Sequence, residues 1–379
     1  MATLIEKSKH MTEVLLQQLS NSDIQWMIDN GHRQQVAAGT VLIQQHSNVD
    51  YFYLVLEGTL SASIKSNQNS SLAKVYGKLE DDPDLEQEIT RFRRGEVIGE
   101  SSGWRFTPSA ITVKAEENSV VLAIPSNKLL ENFRQDTGFA NRFYRAIAIL
   151  LLDRFERLVK TFKRRQNLKI PPLHDAPLLF GKLSDSDVDW FTENGHVKLI
   201  APNIELIQAG RPLEYLYILL RGKLSVFVPE GTGNPLARAF EKLEGYDQSD
   251  SSPATEIASS SRAEIIGETA LIDARLPIYT FKGAESSQVL KIEKQRLTIR
   301  LQENPGMGAR FYRVIAMLLS ARLQGLIDRL GYGRGIYRAG QDSLSEGFEY
   351  EGEIDWNVLD DISLGGARFE RMLKRLGLS

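Results

Sequence analysis

Three groups of residues in this chain have types and spacings that invite a chemical reading. Gly99-Glu100-Ser101-Ser102-Gly103 matches G-x-S-x-G. In a strand-to-helix turn that pattern exposes a serine nucleophile. Gly331-Tyr332-Gly333-Arg334-Gly335 has the glycine content of a phosphate loop, but it follows a helical pattern where such a loop follows a strand. It therefore reads as a helix stop and turn. The five histidines, His10, His32, His46, His174 and His196, have no metal-ligand spacing, so no metal is expected. The chain has no cysteine, which removes thiolate zinc sites, disulfides and a cysteine nucleophile. No trio of nucleophile, base and orienting group emerges, so neither a catalytic residue nor an enzyme is expected.

The elements that must carry these residues are written twice. Leu19–Ile64 and Leu183–Val228 align without a gap, with about 18 identities in 46 positions. A second block recurs at a slightly larger offset: Ile98-Gly99-Glu100 matches Ile266-Gly267-Glu268, and Arg142-Phe143-Tyr144-Arg145 matches Arg310-Phe311-Tyr312-Arg313. The period is that of a domain, so this is a duplication. It also removes the serine nucleophile. The counterpart of the G-x-S-x-G stretch is Gly267-Glu268-Thr269-Ala270-Leu271, without the serine or the last glycine.

Each copy has local signals of its own. Ser20 with Asp23, and Ser184 with Asp187, have capping-box spacing. Short amphipathic helices should follow, anchored by Trp26 and Trp190 and stopped near Gly31 and Gly195. Alternating β-branched and aromatic stretches such as Tyr51–Leu56 predict antiparallel strands, with Gly58 and Gly222 at turns. Phe143, Ile147, Leu150, Leu151, Arg154 and Leu158 recur at helical spacing and predict a closing helix. The polar stretches 78–90 and 244–261 read as surface hairpin tips. The expected layout is mainly β with flanking α. It has a first barrel or jelly-roll domain (double-stranded β-helix) over 1–162, a linker over 163–172, a second such domain over 173–330 and a tail over 331–379.

This order of elements, with G-E-x-x-L near the end of the barrel, resembles the cyclic-nucleotide-binding fold of catabolite-activator-type proteins and kinase regulatory subunits. The resemblance covers residues 15–330, twice. It implies that Gly267-Glu268-Thr269-Ala270-Leu271, and more weakly Gly99-Glu100-Ser101, form phosphate-binding cassettes. In such a cassette a short helix offers its amides to the cyclic phosphate and the glutamate binds a ribose hydroxyl. An arginine ten positions after the glycine forks the phosphate. Here Ser109 and Pro277 hold that position, while the threonines that follow, Thr112 and Thr280, remain. Arg275 lies two residues early in the second copy. The resemblance implies no cofactor beyond a cyclic nucleotide or cyclic dinucleotide as ligand.

A second resemblance, of the whole layout, is to a cyanobacterial family of bacteriocin-type transport-associated proteins. The residues behind it are the two copies and the tail Val358-Leu359-Asp360-Asp361-Ile362-Ser363-Leu364 through Arg375-Leu376. It implies a regulatory or accessory role beside peptide export. The tail runs from acidic to basic, and Phe369, Met372, Leu373 and Leu376 share one helical face. That face either enters a groove on a protein partner, such as the export machinery, or packs on the second domain. The closing helices either form a homodimer seam or bury against their own barrels.

Net charge is −3, and no helix-turn-helix follows either copy, so DNA is not expected as a partner. The longest apolar run, Ala146–Leu152, is far short of the ~20 residues of a membrane helix. The N-terminus lacks a signal-peptide core, and a cytoplasmic chain is expected.

Overall fold

The structure is a computed structural model. It describes residues 14–65, 86–100, 109, 111–162, 180–229, 254–260, 262–273, 275–327 and 356–378. The chain divides into two compact units, Met1–Phe155 with Leu319–Arg338, and Glu156–Leu318 with Ala339–Ser379.

The first unit opens on α1 (Asn21–Asn30). Its cap is the one the spacing predicts: the Ser20 hydroxyl accepts from the Asp23 amide at 3.2 Å, and the Asp23 carboxylate accepts from the Ser20 amide at 2.8 Å. Among the described residues eight strands follow: β1 (His32–Val36), β2 (Val41–Ile43), β3 (Tyr51–Glu57), β4 (Thr59–Lys65), β5 (Glu86–Arg93), β6 (Val97–Ile98), β7 (Thr112–Ala115) and β8 (Ser119–Pro125). They form two antiparallel sheets, β1-β8-β3-β6 and β2-β7-β4-β5. Between the sheets lies one apolar cluster that includes Tyr53, Val55, Leu60, Ala62, Val113 and Ala123. The pleat sends Tyr53 and Val55 into this cluster and turns Phe52 the other way, where its ring meets Phe143 at 5.2 Å. Phe143 belongs to α3 (Thr137–Phe162), which follows α2 (Ser126–Gln135). Both faces of the first sheet are thus covered, which is why β3 and β8 are apolar almost throughout. Each fully buried side chain contributes roughly 1.5–3 kcal/mol.

The second unit repeats this plan. It has α4 (Asp185–Asn194), β9 (Gly195–Ile200), β10 (Glu205–Ile207), β11 (Tyr215–Arg221), β12 (Leu224–Pro229), β13 (Ala254–Ser260), β14 (Ile265–Ile266), α5 (Glu268–Asp273), β15 (Thr280–Gly283) and β16 (Ser287–Glu293). α6 (Lys294–Glu303) and α7 (Pro305–Ile327) close it. The sheets are β14-β11-β16-β9 and β10-β15-β12-β13, the same order as in the first unit. Even the irregularities recur: β3 slips against β8 between Val55 and Glu57, and β11 against β16 between Leu219 and Arg221. The turns that follow place Gly58 and Gly222 at φ of +88° and +85°. There a Cβ would also collide with Ser119 and Ser287, so only glycine fits. The fold is thus the expected mainly β one, two tandem cyclic-nucleotide-binding-type jelly rolls with flanking helices.

Two expectations change. The polar stretches 78–90 and 244–261 are not hairpin tips throughout. Glu86–Thr90 lies in β5, paired to β4, and Ala254–Ser260 forms β13, paired to β12. Polar composition hid them because edge strands face solvent on one side. The rest of both stretches, and the linker over 163–172, lie outside the described residues.

The tail forms α8 (Trp356–Arg375), longer than the segment the apolar spacing marked. Of its two expected placements, the structure has the intramolecular one. Phe369, Met372 and Leu373 are buried against the second unit, with the Phe369 ring 5.3 Å from Phe180, edge to face. Arg368 donates to Asp185 at 2.6 Å, Arg375 to Asp189 at 2.7 Å and to Glu193 at 2.9 Å, and Arg371 to Asp189 at 3.1 Å. Asp185, Asp189 and Glu193 form a stripe along α4, four residues apart. The stretch Ala146–Leu152 of α3 is buried.

Candidate functional site

Each predicted cassette starts where a two-residue strand ends. Gly99 follows β6 and Gly267 follows β14, both at φ +88°. A Cβ on Gly99 would stand 2.6 Å from the Tyr51 carbonyl oxygen, and one on Gly267 would stand 2.6 Å from Leu213 Cδ2. Glycine is required by conformation in both copies, and at Gly99 by space as well. The glutamate that follows is buried in both copies, Glu100 and Glu268 alike. A buried carboxylate needs hydrogen-bond donors.

In the first copy the donor is known. Arg154, itself buried on α3, donates to Glu100 and also to the carbonyl of Val97. Its guanidinium lies 4.9 Å from the centroid of the Phe92 ring. Sequence reasoning placed Arg154 only as a step on the apolar face of the closing helix. The signal it missed was that single charge on an otherwise apolar face.

The other predicted first-copy residues take different partners. Ser109, at the family's arginine position, is buried and turned on its own backbone. Its hydroxyl donates to the Ile111 carbonyl at 2.8 Å and accepts from the Ile111 amide at 3.3 Å. The Thr112 hydroxyl accepts from the Gln45 amide at 3.1 Å. No hydrogen bond joins Glu100 to Ser109 or Thr112 among the described residues. Ser101 lies outside the described residues, as do Ser102 and Gly103 of the G-x-S-x-G stretch.

The second copy keeps the same backbone frame. The Gly210 amide donates to the Pro277 carbonyl at 2.8 Å, as the His46 amide donates to Ser109 at 2.7 Å. Thr280 Oγ1 accepts from the Ala209 amide at 3.1 Å, matching Thr112. Pro277 and Ser109 therefore hold one backbone position, and neither can fork an anion. Glu268, Thr269 and Ala270 open α5, the short helix expected of a cassette. Arg275 is ion-paired with Asp273 of the same segment, with about 30% of each side chain exposed.

One further pair holds the same place in both copies. Arg142 of α3 donates to Asp23 at 2.6 and 2.8 Å, and Arg310 of α7 donates to Asp187 at 2.6 and 2.9 Å. Burial pulls both carboxyls up. The arginine forks and the serine caps outweigh it, so each stays below the ordinary 3.8. The repeated Arg-Phe-Tyr-Arg is thus a clamp between the opening and closing helices. Burial also pushes Tyr217, on the inner face of the second barrel, up to about 12.

Among known proteins, residues 33–136 match the family described as Cyclic nucleotide-binding domain. No curated protein matches the chain. Solved structures resemble it at low scores. The regulatory domain of Toxoplasma gondii PKA with cAMP is 15% identical, with TM-score 0.25, over 79% of this chain and 94% of that one. The catabolite activator protein of Thermus thermophilus is 14% identical, with TM-score 0.32, over 49% and 75%. The N-terminal domain of a transcriptional regulator from Streptomyces coelicolor is 21% identical, with TM-score 0.29, over 41% and 94%. The fold assignment rests on the strand order and on the family match. Among the described residues, no helix is long and apolar enough to cross a membrane.

Proposed function

We propose that this chain is a non-enzymatic regulatory protein in which the second barrel receives a cyclic nucleotide or cyclic dinucleotide. The observation that carries this reading is the short helix that opens the second cassette. In the first, Arg154 donates to Glu100, and Ser109 is folded onto its own backbone. In the second, Glu268, Thr269 and Ala270 stand on a formed helix after Gly267. A ribose hydroxyl would donate to Glu268, and Arg275 would exchange Asp273 for the phosphate. Calorimetry of the full chain with cAMP, cGMP, cyclic di-GMP and cyclic di-AMP tests this. Heat with one of them is expected, abolished by Glu268→Ala and changed less by Glu100→Ala. No heat with any of the four, on folded protein, overturns the sensor.

A second reading, a ligand-free interaction module, draws on two observations. Neither copy has an arginine ten positions after its glycine, and Arg275 is engaged by Asp273. A hydrogen bond to a charged group is worth roughly 1.5–3 kcal/mol, so losing the fork weakens a phosphate by one to two decades. Under either reading, the tail's resemblance extends the proposal to an accessory role beside bacteriocin-type peptide export in a cyanobacterial cytoplasm. The protein partner would then meet the solvent-facing side of α8, because its apolar face is occupied.

A further inference from the structure

We propose that the inner-face end of the second barrel is a binding site for a compact phosphate-class anion, separate from the cassette glutamate. The argument rests on one register position compared across the two copies. In the first barrel Ala123 lies opposite His32 on β1 and Tyr53 on β3, and it is fully buried in the core cluster. In the second, the residue opposite His196 and Tyr217 is Lys291. Residues directly opposite in a sheet share a face. Tyr53 faces the core in the first barrel, so the matching register sets Lys291 on the inner face of the second, at its half-buried end beside exposed Glu293.

Lys291 is half-buried, and partial burial of an ammonium costs free energy that a bound anion offsets. Lys291 has no carboxylate partner among the described residues, and its ammonium nitrogen lies 3.6 Å from the centroid of the Tyr215 ring. Arg296, on the first turn of α6, reaches the same place and touches Asn194 at 3.3 Å. With His196 and Glu293 these residues line a cavity of about 270 Å³. That is just below the ~300–1,000 Å³ typical of ligand pockets, so a compact ligand fits best.

The first copy has the same asparagine, histidine and tyrosine, as Asn30, His32 and Tyr51. Where the second has Lys291 and Glu293, it has Ala123 and Pro125, and Lys128 stands in the place of Arg296. The shared frame is therefore structural, and what sets the second copy apart is the charge. Lys291 and Arg296 supply two cations against the one carboxylate of Glu293. A lysine point charge beside an arginine fork suits a phosphate dianion. Tyr215 also links this end to the start of the cassette, since a Cβ on Gly267 would lie 3.3 Å from its carbonyl oxygen.

Calorimetry of the full chain with inorganic phosphate and with AMP tests the site, with acetate as the weak-anion comparison. Phosphate-bearing probes are expected to bind and acetate to bind far less. Lys291→Ala installs the residue the first barrel already tolerates, and it should weaken binding roughly tenfold or more. Arg296→Gln, on an exposed side chain, should act in the same direction and keeps the test alive if Lys291→Ala does not fold. Absence of phosphate heat, or wild-type affinity in both variants, overturns the proposal. Loss of phosphate binding in Glu268→Gln would place the anion in the cassette and overturn it too. Persistence there, with or without cyclic-nucleotide binding, separates this site from the proposed sensor.

Discussion

The two barrels have one strand order and one set of irregularities, and they differ in what lies against their opening helices. Both bury the cassette glutamate, which in the first accepts from Arg154 of the closing helix, but in the first α1 presents Asn21, Gln25 and Asp29. In the second, the corresponding helix α4 presents Asp185, Asp189 and Glu193, and α8 lies against it with Arg368, Arg371 and Arg375. Leu16, in the place that Phe180 holds in the second unit, is exposed, while Phe180 is buried under Phe369. Duplication kept the frame. The copies then diverged at the few positions where the frame leaves charge or apolar surface to be covered.

The sharpest way to break this comparison is to remove the internal partner of the first cassette. Arg154→Met should leave Glu100 buried without its donor and destabilise the chain by about 3–5 kcal/mol, read by urea denaturation. Arg154→Met with Glu100→Gln should recover much of that loss, because an amide is cheaper to bury than a carboxylate. If Arg154→Met alone proves near neutral, Glu100 does not depend on that pair for its burial. A smaller effect is expected at α8. Met372 is fully buried, so Met372→Ala should cost about 2–5 kcal/mol if the tail is part of the second unit's core. A neutral outcome would make α8 a loosely held segment whose apolar face is open to a partner. The ion pairs beside it are largely exposed and screened by water, so they set orientation more than strength.

Much of the frame was legible because it is local or repeated. Capping boxes have a spacing, turn glycines have a conformation, and closing helices have a period. A second copy confirms each of them within one sequence. The strands β5 and β13 were less visible, because their polar residues look like loop until a partner strand is known. The internal ion pair was invisible for a related reason: Glu100 and Arg154 are 54 residues apart, and neither identity says which partner burial will supply. The tail's destination was left open because an apolar face with basic flanks fits any acidic groove. The stripe on α4 that selects it becomes meaningful only when α4 is known to be a helix with that side outward. The lysine at the second barrel's mouth was missed because sequence shows a lysine in a strand and hides which face it takes.

The smallest expected effect concerns what the copies share. Asp23 and Asp187 each cap a helix and accept an arginine fork, and each stays below the ordinary carboxyl value when folded. A carboxyl held low in the folded state binds its proton more readily when unfolded. Its contribution is therefore complete above the ordinary 3.8 and is lost as pH falls from there through the lowered folded value. Asp23→Asn and Asp187→Asn should each cost about 1–2 kcal/mol near neutral pH, since Arg142 and Arg310 are partly exposed and solvent screens the pair. Each variant should also lose less stability than the parent between pH 5 and pH 3, read by thermal unfolding across that range. The two substitutions should behave alike. Unequal effects would mean that the clamp, and not only the cassettes and the tail, has diverged between the copies. The cause of the asymmetry would then have to be sought in the helices that open and close each barrel.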